Sequence, residues 1–165
     1  MPSRGLGDVY KRQLFGFGYF VSNLYWISIS LTFDQNFKFL IPFTIILIPS
    51  FLALFYALVA YLFVVLKPNN NLSSFFLFSL IFGIVEFVRG SILTGFPWNL
   101  IAYSFSNQIE ILNITSVIGT YSFNLFCISL FTSPSIFILR ENKKDISICV
   151  AFLITTMSFL SLIHI

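Results

Sequence analysis

Glu86 and Arg89 stand three residues apart inside a strongly apolar run, and that run ends in the hexapeptide TGFPWN, Thr94 to Asn99. Three-residue spacing puts a carboxylate and a guanidinium on one face of a helix, close enough for a charge-assisted pair. An ion near mid-bilayer costs about 2.5 to 3.5 kcal/mol on insertion scales, so burial demands a partner and an interfacial position is cheaper. Three chemistries fit: an ion pair that fixes helix rotation and satisfies loop carbonyls, direct contact of Arg89 with a lipid phosphate, or a proton or ion relay through Glu86. The hexapeptide reads as a rigid lip at the membrane surface, because Gly95 allows unusual dihedrals while Pro97 fixes its own φ and pushes Phe96 toward extended geometry. Phe96 and Trp98 then sit at the interface, where with Asn99 they could clamp an acyl chain against one wall and a polar headgroup against another. Trp98, Tyr103, Trp26 and Tyr25 fit an ordinary aromatic belt equally well.

Other chemistry finds little support. Cys127 and Cys149 lie in apolar runs with no His or Cys at ligand spacing, which argues against a metal site or a disulfide framework. They read as small core residues. His164 has no carboxylate or Cys nearby in sequence and supports no catalytic role. No cofactor is expected.

The elements that must hold these residues are set by the solvent. A chain of 165 residues with 58% hydrophobic and 9% charged residues, a mean hydropathy of +0.94 and 23 Phe is an integral membrane protein. The Phe excess suits AT-rich coding and lipid-facing surfaces and marks no aromatic site. At 1.5 Å per residue a helix needs about 20 apolar residues to cross the hydrocarbon core. The pattern therefore predicts an all-α, polytopic transmembrane helix bundle of about five spans, near 14–31, 39–66, 75–90, 115–139 and 146–163, without internal repeats. The second is too long for one upright span and carries Pro42 and Pro49 at its start, so an interfacial entry or a tilted, kinked helix is expected. KPNNNLSS, Lys67 to Ser74, marks a boundary. An irregular outer loop covers 91–107, and a short re-entrant or interfacial helix leads into the fourth span. Ser79 and Gly83, like Gly18 and Ser22, form small-xxx-small steps that permit close helix approach.

Positive loops are retained on the cytoplasmic side. With alternating spans, Arg4, Lys11, Arg12, Lys67, Arg140, Lys143 and Lys144 share one side, and only Lys38 lies in a loop on the other. TGFPWN therefore faces outward. The net charge of +3 is accounted for by this asymmetry, and a nucleic-acid partner has no support. Residues 1–13, MPSRGLGDVYKRQ, lack the apolar region of a signal peptide and read as a cytoplasmic tail, or else GDVYKRQ (Gly7 to Gln13) and LSLIHI at 160–165 resemble translated linker of the kind found at the ends of environmental-DNA assemblies, which makes 1–13 and 160–165 non-native. The second reading leaves 14–159 as a partial membrane domain.

Taken together, GFGYFVSNLYWISISL (Gly16 to Leu31), VEFVRGSILTGFPWNLIAYS (Val85 to Ser104) and IEILNITSVIGTYSFNLF (Ile109 to Phe126) resemble the membrane domain of apolipoprotein N-acyltransferase. The resemblance rests on YW in the first helix, on E-x-x-R-G, and on TGFPWN with a following Tyr, in the family's order. It implies an enzyme of the bacterial inner membrane, with 91–107 facing the periplasm, that takes an acyl chain from a phospholipid onto a cysteine thiolate and passes it to the α-amino group of a diacylglyceryl-cysteine at a lipoprotein N-terminus. A Glu, Lys and Cys in an outward-facing nitrilase-like domain do that chemistry, with Glu as base and Lys stabilising the oxyanion. Neither Cys127 nor Cys149 matches that motif, so this chain alone is expected to be inactive and monomeric, and to cradle lipid with TGFPWN, Arg89 and Tyr103 nearest the chemistry.

Two other functions stay open from the residues alone: a small transporter with Glu86 as an intramembrane proton site, and a purely structural membrane subunit. Reading the coding sequence onward in frame from the fifth span is expected to reveal a nitrilase-like domain of roughly 250 residues, at the upper end of single-domain size. An immediate native stop codon would contradict the acyltransferase reading.

Overall fold

Polar side chains inside apolar helices must be satisfied locally when the surrounding solvent is lipid, and this chain does so repeatedly. The computed structural model describes residues 3–66, 70–92, 97, 99–138 and 143–163. Helix accounts for 87% of it, and no strand occurs among the described residues. The hydroxyls of Ser22, Ser91, Ser129 and Thr155 each donate to the carbonyl four residues back, and those of Thr44, Thr115 and Ser133 to the carbonyl three back. The chain divides into two compact units, Met1–Val65 and Leu66–Ile165.

In the first unit, α1 (Ser3–Leu24) and α2 (Ile27–Ser30) are separated only at Tyr25 and Trp26. Trp26 stays in the right-handed helical region, and the bonds switch to three-residue spacing, from Ser28 N to Tyr25 O and from Ile29 N to Trp26 O. Asp34 caps a 3-10 helix, Gln35–Leu40, by accepting from Asn36 N at 2.9 Å. This runs into α3 (Ile41–Leu66), so the excess length of the second apolar segment is taken up by a tight entry turn. Pro42 falls in the first helical turn, where no donor is required, whereas buried Pro49 removes a bond from the helix interior. Gly16 is the close-packing glycine of α1: an added Cβ would sit 3.0 Å from the Tyr56 side chain. Gly18, part of the expected small-residue step, has open space around it. The Tyr19, Phe20 and Tyr56 rings complete this contact, with centroids 5.1 to 5.9 Å apart.

The second unit is built on α4 (Asn71–Ser91), which Asn70 caps through Leu72 N. A 3-10 helix (Ile101–Phe105), α5 (Ile109–Leu112) and α6 (Thr115–Ile118) then lead into α7 (Thr120–Thr132), α8 (Pro134–Ile138) and α9 (Lys143–Ile163). The short helix expected before the fourth span is thus two four-residue helices, anchored by buried Ile111 and Ile114 while Ile109 and Val117 are exposed. Among the described residues, two stretches, Gln35–Leu66 and Asn71–Ser91, are long and apolar enough to cross a membrane. Phe76, Leu80, Ile84 and Phe87 form an exposed apolar stripe along α4, as expected where lipid replaces water.

Gly119 separates α6 from α7 at φ +82°, ψ 153°, a region open essentially to glycine alone. Nothing lies within 4 Å of a Cβ built there, so any penalty is conformational rather than steric. Gly119→Ala is therefore expected to cost about 1–3 kcal/mol, read as a lower unfolding midpoint in detergent. An unchanged midpoint would contradict this backbone assignment.

Candidate functional site

The Glu86–Arg89 pair forms as the spacing predicts, and it is bidentate. Arg89 Nε donates to Glu86 Oε1 at 3.1 Å, and an Arg89 terminal nitrogen donates to Glu86 Oε2 at 2.7 Å. Glu86 is 0% and Arg89 2% exposed. At 1.5 Å per residue, Arg89 lies about 3 Å and Glu86 about 7.5 Å short of the end of α4. A cation in the last turn also opposes the negative end of the helix dipole.

Ser79, Gly83, Glu86 and Gly90 recur at intervals of four, three and four, and so share one face of α4. That face meets α7. A Cβ at Gly83 would sit 2.7 Å from Leu125 Cδ1, one at Gly90 would collide with the Tyr121 hydroxyl, and the Ser79 and Thr132 hydroxyl oxygens lie 3.4 Å apart. Residue numbers rise on α4 as they fall on α7, so the two helices are antiparallel. The Phe87 and Tyr121 rings meet edge to face at 5.1 Å beside this seam.

Beyond α4 the chain reappears at half-buried Pro97 and at Asn99, which takes φ +60°, the one non-glycine positive φ among the described residues. Asn tolerates this left-handed conformation better than most side chains, which gives the last residue of TGFPWN a backbone role. Leu100 and Ala102 then drop into a cluster with Ile111, Ile114, Phe123 and Cys127. Asn124, fully buried on α7, accepts the Ala102 N–H at 3.0 Å through Oδ1. One turn of 3-10 helix carries Tyr103, 41% exposed, at the surface.

Of the residues expected to form a site, Glu86, Arg89, Pro97, Asn99 and Tyr103 belong to this second unit. Thr94, Gly95, Phe96 and Trp98 lie outside the described residues. Trp26, 42% exposed, belongs to the first unit. A cavity of about 310 Å³ in that unit, lined by Tyr10, Gln13, Leu14, Phe17, Ser50 and Ala53, involves none of the expected site residues. Both cysteines are buried; Cys149 Sγ makes a weak 3.6 Å contact to the Ser133 carbonyl. Gly90, Tyr121 and Asn124 escaped the sequence reading. Asn124 had a signal, as the lone amide in a 13-residue helix whose other polar side chains are hydroxyls, but nothing in sequence named its partner.

Residues 8–133 match the model of the apolipoprotein N-acyltransferase N-terminal domain. The chain belongs to this family. It is similar to apolipoprotein N-acyltransferases of Brucella melitensis (37% identity, covering 74% of this chain and 23% of the relative), Rhodopseudomonas palustris (38%, 75% and 23%) and Rickettsia prowazekii (35%, 87% and 29%). The chain thus spans about a quarter of the length of the curated relatives it matches. No solved structure gives a significant match.

Removing one member of a buried ion pair strands the other, at a cost of about 3–5 kcal/mol, whereas replacing both by apolar groups is often neutral. Glu86→Ala is accordingly expected to lower the unfolding midpoint in detergent sharply, and Glu86→Met with Arg89→Met to recover most of it. Equal losses in the single and double variants would show that the pair is not the unit of stability.

Proposed function

We propose that residues 14–159 are the lipid-holding membrane part of an apolipoprotein N-acyltransferase. The enzyme moves an acyl chain from a phospholipid to the α-amino group of a lipoprotein's N-terminal diacylglyceryl-cysteine. A cysteine thiolate attacks the phospholipid ester carbonyl, forming a thioester and releasing lysophospholipid; the acceptor amine then attacks the thioester, leaving an amide and the free thiol. Neither Cys127 nor Cys149 is assigned the thiolate of that chemistry, and the role of residues 14–159 is substrate positioning beneath the catalytic groups.

The observation that carries this reading is the buried bidentate pair placed directly before TGFPWN, in a chain of this family. A pair locked at the membrane end of α4 gives the lip a stiff floor, and Asn99 and Tyr103 continue that rim. On the proposed topology five helices cross the bacterial inner membrane, with the lip and 91–107 facing the periplasm. The partners are the phospholipid donor and the diacylglyceryl-lipoprotein acceptor, and the enzyme works as a monomer. Both Glu86 oxygens are engaged by Arg89, which weighs against a relay through Glu86.

Complementation in an acyltransferase-depleted strain tests this. The wild-type gene carrying this segment is expected to restore growth and lipoprotein N-acylation, while Arg89→Ala and Trp98→Ala each reduce N-acylation at equal protein abundance. Full N-acylation in both variants would instead support a purely structural subunit.

A further inference from the structure

Every helix begins with backbone N–H groups that have no partner within it. For the 3-10 helix Ile101–Phe105 the residue at the capping position is Leu100, which has no side-chain oxygen and makes no side-chain cap. Water does not substitute, because Leu100 is 2% and Ala102 0% exposed. The acceptor comes instead from Asn124, 22 residues further along the chain, whose Oδ1 takes the Ala102 N–H at 3.0 Å. The next donor, Tyr103 N–H, returns to Leu100 O at 3.0 Å.

The same carboxamide carries a penalty. With Oδ1 turned to Ala102, Nδ2 is buried and has no hydrogen-bond partner among the described residues. A stranded buried donor costs more than one neutral hydrogen bond returns, but an apolar side chain in its place would strand the Ala102 N–H instead and lose the bond as well. The amide is explained by what it holds. Its helix is itself anchored, since Tyr121 and Leu125 on the neighbouring turn pack against Gly90 and Gly83 of α4.

We propose that Asn124 is a positioning residue for the lipid rim: it supplies from α7 the cap that the 3-10 helix cannot make for itself, and so holds Tyr103 at the surface. Its consequence for lipid rests on the function proposed above, while the cap is testable without it. With the chain in nanodiscs of phosphatidylethanolamine and phosphatidylglycerol, hydrogen exchange is followed over 100–105 and over 71–91. Asn124→Leu is expected to speed exchange in 100–105 on the order of tenfold, with 71–91 within about twofold. Asn124→Asp keeps an acceptor oxygen and is expected to restore protection. Leu100→Asn in the Asn124→Leu background, which places a capping oxygen locally, is expected to restore it as well. Unchanged exchange in Asn124→Leu, equal loss over both regions, failure of that variant to insert, or failure of both rescues would overturn the proposal. Cross-linking of a photoactivatable phospholipid to 100–105 is expected to fall in Asn124→Leu and return in Asn124→Asp. A wild-type chain that captures no lipid there counts against the proposed function, while the exchange comparison still decides the cap.

Discussion

A carboxylate and a guanidinium buried together near the end of an apolar helix set the terms for the structure around them. Neither charge tolerates lipid alone, and although the pair closes within α4 it is still polar, so both side chains are turned into protein. That requirement fixes the rotation of α4 about its axis. Once the Glu86 face is turned inward, Ser79, Gly83 and Gly90 turn inward with it, and Phe76, Leu80, Ile84 and Phe87 are left facing out. The small residues then decide how near the next helix can come.

α7 is the element that carries this order to the rim. One of its faces meets α4 through Tyr121 and Leu125, and another presents Phe123, Asn124 and Cys127 to the turn that follows TGFPWN. The rim is therefore not a free loop end. Its backbone is held through one buried amide, and its entry is shaped by a left-handed Asn99. On the proposed function such rigidity serves positioning, because positioning is lost when the wall can move with its ligand.

The second apolar segment solves a different problem with the same economy of means. A run too long to cross upright is shortened by a capped 3-10 entry, and Pro42 is placed where its missing donor costs nothing. Pro49 is buried, and Phe43, Leu47, Phe51, Leu54 and Leu58 are exposed along the same helix. Hydroxyls along the other helices bond back to their own backbone, which lets Ser129 and Thr155 persist in apolar helices.

The all-helical class, the family, the 86/89 pairing and the close approach at Ser79 and Gly83 were legible in the chain, because each depends on local spacing or on a contiguous motif. Gly18 misled for the same reason: spacing marks a residue as small without saying what faces it, and the close contact belongs to Gly16. The break at Gly119 is visible as a glycine in an overlong segment, whereas its φ of +82° is not. Composition by itself determined the solvent, and the order of E-x-x-R-G and TGFPWN determined the kinship. Tertiary structure alone decided that Gly90 answers to Tyr121 and that Asn124 caps a turn 22 residues away. Those contacts join residues far apart in sequence, and only the packing of α4 against α7 brings their atoms within bonding distance.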